Sequence, residues 1–195
     1  MRKSSPKGFP TLEQLNAELE REQYKSRYSR TLRSTIYILI VVAAVAVLLA
    51  TLIFPVFRIY GSSMSPTVTE GEIVVSLKGS NFACGDIVVL SFNNKLLVKR
   101  VIAAPGQIVD IDLTGNVYVD GEMIDEPYLK EKSYGEVTIT LPYQVPEGKY
   151  FVMGDNRATS QDSRDSVVGC IAEEQIIGRS ILRIWPFDKI GSLNH

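Results

Sequence analysis

Residues 86–103 read DIVVLSFNNKLLVKRVIA. Two apolar, β-branched runs, Asp86–Phe92 and Lys95–Ala103, flank Asn93-Asn94. That pattern predicts two antiparallel strands joined by a tight turn. On the second strand, alternation puts Leu97, Lys99 and Val101 on one face and Val98, Arg100 and Ile102 on the other. One of the two adjacent bases therefore shares its face with apolar neighbours. A free lysine has a pKa of about 10.4 and is a poor base at neutral pH. Full burial lowers that value by up to about 3–5 pH units, after which the amine can take a proton from a hydroxyl. Arginine stays charged and cannot. Set against this is an ordinary lysine whose stem lies on the sheet while its amine reaches water.

The same texture continues on both sides of the hairpin. Glu72–Leu77 predicts a strand. Val117–Val119 and Glu122–Ile124 predict another hairpin around Asp120-Gly121. Val137–Leu141, Tyr150–Met153 and Ser180–Trp185 add strands, the last stopped by Pro186. Glu126–Gly148, punctuated by Tyr and Pro, reads as a long excursion. Many short strands without intervening helices predict a mainly β, all-β domain over residues 57–195.

Before that domain the chain changes character. Thr35–Val56, TIYILIVVAAVAVLLATLIFPV, lies within 24 uncharged residues between Arg33 and Arg58. About 20 such residues span a bilayer core. The run is too long and begins too late for a cleaved signal sequence, so residues 35–56 read as a retained transmembrane helix. Residues 1–34 carry a net charge of +4 and the remainder −5. The bases before the span place the N-terminus in the cytoplasm and the β domain outside. Within residues 1–34, Leu12, Leu15 and Leu19 at helical spacing, and Thr11 with Gln14 as a capping box, predict a cytoplasmic helix from about residue 11.

Composition removes several functions. The domain has no basic patch, so no nucleic-acid partner is expected. The only histidine is His195 and there is no CxxC, so a zinc site or a histidine-based triad lacks materials, and no cofactor or metal is expected. Cys84 and Cys170 both fall outside the membrane, and their spacing leaves open a bridge or two separate thiols.

Two further segments carry chemistry. Gly61-Ser62-Ser63-Met64-Ser65-Pro66-Thr67 is a small-residue turn just past the span, able to expose a hydroxyl and aim N–H groups at one point, or else a linker. Gly154-Asp155-Asn156-Arg157-Ala158-Thr159-Ser160-Gln161-Asp162-Ser163-Arg164-Asp165 alternates acids, arginines and hydroxyls, as a side-chain network or an ordinary polar loop would.

Taken in order, Ser63-Met64-x-Pro66-Thr67, Gly85-Asp86-Ile87-Val88, Lys99-Arg100-Val101-Ile102 and Gly154-Asp155-Asn156-Arg157…Ser160-x-Asp162-Ser163-Arg164 resemble the type I signal peptidases, of the short kind with one anchor. The resemblance covers residues from about 35 to 190. It implies a membrane-anchored serine endopeptidase at the plasma membrane, with signal peptides of secreted preproteins as substrates and the lipid bilayer as a partner. It implies Ser63 as nucleophile and Lys99 as general base. Ser160 would orient the lysine, Asp162 with Arg164 and Asp155 with Arg100 would support the dyad, and Met64 would pack beside the nucleophile. Some relatives have an oxyanion-binding serine two places before the nucleophile. Here that place is Gly61, which leaves the Ser63 backbone N–H as the implied donor. The competing readings are a non-catalytic membrane-tethered β-module and a self-cleaving regulator. Retention of Ser63 with Lys99 disfavours the first; the anchor, with no DNA-reading domain, disfavours the second.

Seven residue steps from Val56 to Ser63 span roughly 25 Å when fully extended, keeping the nucleophile near the outer membrane surface. Phe57, Ile59 and Tyr60 are then expected to meet lipid.

Overall fold

The structure, a computed structural model, describes residues 12–79 and 81–193. Thr11, the expected capping residue, and His195 lie outside the described residues.

One helix, α1 (Leu12–Ile53), runs for 42 residues. It contains no Gly or Pro, the two residues that most disfavour a helix interior. Its apolar portion is long enough to cross a membrane, and none of its side chains is buried within the chain. Two of the expected boundaries change. The helix expected from about residue 11 and the expected span form one continuous helix, because nothing in Arg33-Ser34-Thr35 breaks it. The helix also stops at Ile53 rather than Val56, because Pro55 lacks an N–H and disfavours helical geometry in Phe54 before it. Val56–Arg58 is already a strand.

The β unit contains β1 (Val56–Arg58), β2 (Ile73–Leu77), β3 (Ile87–Phe92), β4 (Lys95–Ala103), β5 (Ile108–Ile111), β6 (Val117–Val119), β7 (Glu122–Met123), β8 (Tyr143–Gln144), β9 (Lys149–Met153), β10 (Ile171–Ala172), β11 (Ile176–Trp185) and β12 (Gly191–Ser192). The larger sheet has the order β1-β2-β11-β3-β4-β9-β10, with β12 on β11; the smaller runs β7-β6-β5-β8. Every pairing in both sheets is antiparallel.

The 86–103 hairpin forms in the expected register, with Phe92 opposite Lys95. Asn93 and Asn94 have φ of 47° and 62°, the left-handed pair that a two-residue turn needs and that Asn tolerates. β4 joins two cores. Val101 packs with Val88, Leu90 and Val152, whereas its neighbour Ile102 packs with Val109, Val117 and Phe151, which also draws in the smaller sheet.

Several expectations differ. β5, β8, β10 and β12 are not among the expected strands, and β11 begins four residues before Ser180. Val137–Leu141 forms no strand. Thr138 and Ile139 instead donate their N–H groups to the Arg164 carbonyl, at 3.0 and 3.4 Å, while Ile139 and Leu141 pack on the core. Apolar alternation is satisfied there by a loop lying on a core, without a neighbouring strand.

Candidate active site

The serine-rich turn is built into the β unit and does not hang as a linker. Residues 59–72 form a closed loop, fastened where Ile59 N–H donates to the Glu72 carbonyl at 2.9 Å and Gly71 N–H to the Ile59 carbonyl at 3.0 Å. Inside the loop Met64 and Val68 are buried in a cluster with Ile59, Val74 and Ile87. Met64 thus packs directly behind Ser63. Ile59 is core and is not available to lipid; Tyr60, beside it, is exposed. Burial of Ile59 corrects the expectation that it meets lipid, because the loop needs an apolar residue at its closure. Gly61 has φ of +84°, a conformation that most residues adopt only at a cost. Ser63 is tied to the 154–164 segment from outside: Asn156 N–H donates to the Ser63 carbonyl at 3.0 Å.

Both bases of β4 are buried, Lys99 to 3% exposure and Arg100 to 2%, but their charges meet different fates. Arg100 makes a two-pronged pair with Asp155 at 2.9 and 2.7 Å and donates to the Gly85 carbonyl at 2.8 Å. Lys99 has one hydrogen bond, from Nζ to Ser160 Oγ at 2.8 Å. Among the described residues no carboxylate forms an ion pair with it. Burial pushes its pKa down to about 8; Asp162 and Asp155 pull it upward and Arg164 lowers it further. Near neutrality about a tenth of such amines are already unprotonated, against fewer than one in a thousand for a free lysine.

Asp162 and Arg164 make a second fully buried two-pronged pair, at 2.8 and 2.9 Å, and Asp162 also accepts from Gly154 N–H at 3.0 Å. Ser163 bridges to β9 by accepting from Val152 N–H. The loop from Gly154 to Arg164 is thereby held on every side, and Ser160 with it. At Gly154 the turn of Ser63 and the side chain of Ser160 converge. A Cβ there would run into the Ser63 carbonyl oxygen and the Ser160 hydroxyl.

Ser63 and Lys99 line one cleft of about 790 Å³, together with Leu97, Thr159 and Gln161. No hydrogen bond joins the two side chains in this state; such contacts often tighten only when substrate is bound. Ser63 also lines a second, more apolar groove of about 700 Å³, walled by Val56–Tyr60 on one side and Lys95–Val98 on the other. Both walls present strand edges. β1 pairs with β2 alone, and β4 meets β9 only from Arg100 onward, so residues 95–99 pair on one side only. An extended peptide can add between such edges through its backbone, with alternate side chains entering the groove.

The structure therefore brings Ser63, Met64, Lys99, Arg100, Asp155, Ser160, Asp162 and Arg164 into one contiguous region. Sequence reasoning missed two members. Glu126 pairs with Arg157, both fully buried, and Tyr128 lies under the Arg100 guanidinium, 3.7 Å from ring centroid to Cζ. Both fall where the sequence showed only a loop. Cys84 and Cys170 are separate thiols, Cys84 exposed and Cys170 half-buried; desolvation raises the pKa of each.

A family model described as signal peptidase, peptidase S26, matches residues 32–185. The chain is 40% identical over 163 residues to signal peptidase I T of Bacillus subtilis (strain 168), an overlap of 75% of this chain and 83% of that protein. It is 39% identical over 153 residues to signal peptidase IB of Staphylococcus aureus (strain COL), covering 68% and 78%. The crystal structure of a signal peptidase I from Enterococcus faecalis V583 aligns with a TM-score of 0.44 at 30% identity, over 51% of this chain and 96% of that one.

Proposed function

Because this chain belongs to the signal peptidase family, peptidase S26, we propose that it removes signal peptides from secreted preproteins by acyl transfer, with Ser63 as nucleophile and Lys99 as general base. The observation that carries this reading is the Lys99 amine. It is buried, without a carboxylate partner among the described residues, and held by Ser160 at 2.8 Å in the cleft that Ser63 also lines.

Neutral Lys99 Nζ accepts the Ser63 hydroxyl proton as Oγ attacks the scissile carbonyl carbon. The Ser63 backbone N–H supports the oxyanion. The Lys99 ammonium then passes its proton to the leaving amine, and an ester joins the signal peptide's new C-terminus to Ser63. Water, giving a proton to Lys99, attacks that ester; the ammonium returns a proton to Ser63 Oγ as the acid departs. Ser160 accepts a hydrogen bond from the amine throughout and aims it. Asp155 with Arg100, and Asp162 with Arg164, hold the strand and loop that carry the two groups.

The apolar groove suits the small residues expected at the first and third positions before the cut, since alternate side chains of an extended strand enter the same face. The N-terminus is assigned to the cytoplasm and the β unit to the outer side by the bases before the span. The construction expected from sequence, with residues 1–34 as cytoplasmic segment, 35–56 as span and 57–195 as catalytic domain, is retained in this reading, with the helix closing at Ile53.

Incubation of the full chain in detergent micelles with a preprotein bearing an A-x-A site, beside Ser63→Ala, tests the assignment. Cleavage by the parent and none by the variant is the expected outcome; equal cleavage by both removes Ser63 as nucleophile.

The pH profile is a second expected result. The reactive amine is the neutral one, so kcat/KM rises about tenfold per pH unit below a midpoint near 8 and levels above it. Rates between pH 5.5 and 9.5 give the midpoint directly, and a profile flat from pH 6 to 8 contradicts a lysine base.

A further inference from the structure

We propose that Glu126 and Tyr128 are positioning residues for the reaction, acting through Arg157 on the Gly154–Ser160 turn that holds Lys99. The proposal rests on the Ser63/Lys99 reading above and extends it to the segment from Glu126 to Thr138.

Three arginines, Arg100, Arg157 and Arg164, are among the largest fully buried side chains. Each has one carboxylate partner: Asp155, Glu126 and Asp162. Two of those carboxylates come from the loop that carries Ser160. Glu126 comes from 31 positions earlier than Arg157. The segment beginning at Glu126 touches all three arginines. Glu126 takes the Arg157 guanidinium in a two-pronged pair, and Tyr128 donates to Glu126 at 2.8 Å while its ring covers Arg100. The Tyr134 carbonyl accepts from Arg164 Nη1 at 2.9 Å, and Thr138 N–H donates to the Arg164 carbonyl at 3.0 Å. Gly135, at φ +65°, passes so close that a Cβ would lie 2.5 Å from Arg164 Nη1 and 2.6 Å from the Arg157 carbonyl oxygen. Residues 126–138 form a strap across the back of the catalytic loop.

The route from the strap to the amine is short. Arg157 Nε donates to the Gly154 carbonyl at 3.1 Å, and the Arg157 carbonyl accepts from Arg164 Nη2 at 2.9 Å. Gly154 in turn is the residue pressed between Ser63 and Ser160. An arginine cannot shed its charge. Without Glu126, Arg157 is a buried cation with no carboxylate, a costly state, and its guanidinium leaves for water. It then releases Gly154, and the turn under Ser160 loses its grip on one side. Burial raises the Tyr128 pKa, so its hydroxyl stays a donor and keeps Glu126 aimed. None of Glu126, Tyr128 or Arg157 lines the apolar groove or the cleft. Their loss is therefore felt in turnover and not in substrate binding.

The test uses the full chain in detergent micelles. Glu126→Leu with Arg157→Met replaces the pair by apolar side chains of similar size, a change that generally preserves stability, yet it removes the Arg157 bond to Gly154. The expected signature is a thermal midpoint near the parent's, kcat lowered about 10–100-fold and KM within about twofold. Tyr128→Phe, which removes one hydroxyl and keeps the ring, gives the same split at about threefold. A parental kcat in the folded double variant, or in Tyr128→Phe should the double variant not fold, overturns the proposal. Ser63→Ala assayed in parallel separates the two claims. Residual cleavage by that variant fails the dyad reading itself, whereas parental turnover with Ser63 dependence intact fails the strap alone.

Discussion

Replacing Lys99 by methionine is expected to lower preprotein cleavage by about 10³-fold or more while raising the thermal midpoint at pH 7. Both effects come from the same burial. The amine sits at 3% exposure with a pKa pulled down to about 8, against an ordinary 10.5 in the unfolded chain. Between those values the unfolded chain binds more protons than the folded one, so the lysine's contribution to stability rises with pH across the window from about 8 to 10.5. Below about 8 its full cost is present. Each pH unit of depression corresponds to about 1.4 kcal/mol, which bounds the cost at about 3 kcal/mol. The bond to Ser160 is lost in the variant and offsets part of the gain. A rise of about 4–8 °C at pH 7 follows for a unit of this size, shrinking toward pH 10.5. Thermal unfolding of parent and variant at pH 7 and pH 10 measures it. An inactive variant that is less stable at pH 7 would mean that the amine is not held in a desolvated, costly position.

Gly154→Ala is expected to be the most damaging single methyl in the β unit, lowering kcat by about 10²-fold or more. Strain in the backbone is not the reason, because Gly154 does not have positive φ. Space is the reason: the added carbon meets the Ser63 carbonyl oxygen, the Ser160 hydroxyl and, at 2.6 Å, Ser160 Cβ. Neither side yields easily. The Ser63 carbonyl is bonded to Asn156 N–H, and Ser160 belongs to a loop anchored by the Asp162–Arg164 pair. Either Ser63 or Ser160, the hydroxyl that holds Lys99, must move, and overpacking costs about 1–3 kcal/mol besides. Cleavage kinetics together with unfolding measure both. By contrast Gly121 has nothing within 4 Å of the equivalent carbon but does have φ of +83°, so its alanine variant strains only a distant turn and keeps its turnover. Equal rates for the two variants would refute the convergence argument.

The residues that carry chemistry were legible from sequence in kind, and the arrangement that makes them chemical was not. Alternation on β4 requires that Lys99 or Arg100 face apolar neighbours; the structure buries both and distinguishes them by partner, since Asp155 neutralises the arginine and, among the described residues, no carboxylate pairs with the lysine. Asp155 lies 55 positions away from Arg100, a separation across which periodicity carries no information. The 126–148 excursion was the least readable region for the same reason. Its order comes from Arg157 and Arg164 rather than from any repeat of its own. Val137–Leu141 has a strand's alternation, but it faces a loop carbonyl instead of a neighbouring strand.

By itself the sequence determined the elements whose cause is local: a long apolar helical run, the hairpin turned by Asn93-Asn94, and the two-residue period of the strands. Backbone preference and side-chain alternation act over a few residues and can be read there. Only the tertiary structure decided which buried cations are neutralised, how closely Gly154 brings Ser63 to Ser160, and how far the Lys99 amine is removed from water. Those depend on groups tens of residues apart meeting in a medium of low polarity, where one missing carboxylate turns a structural cation into a base.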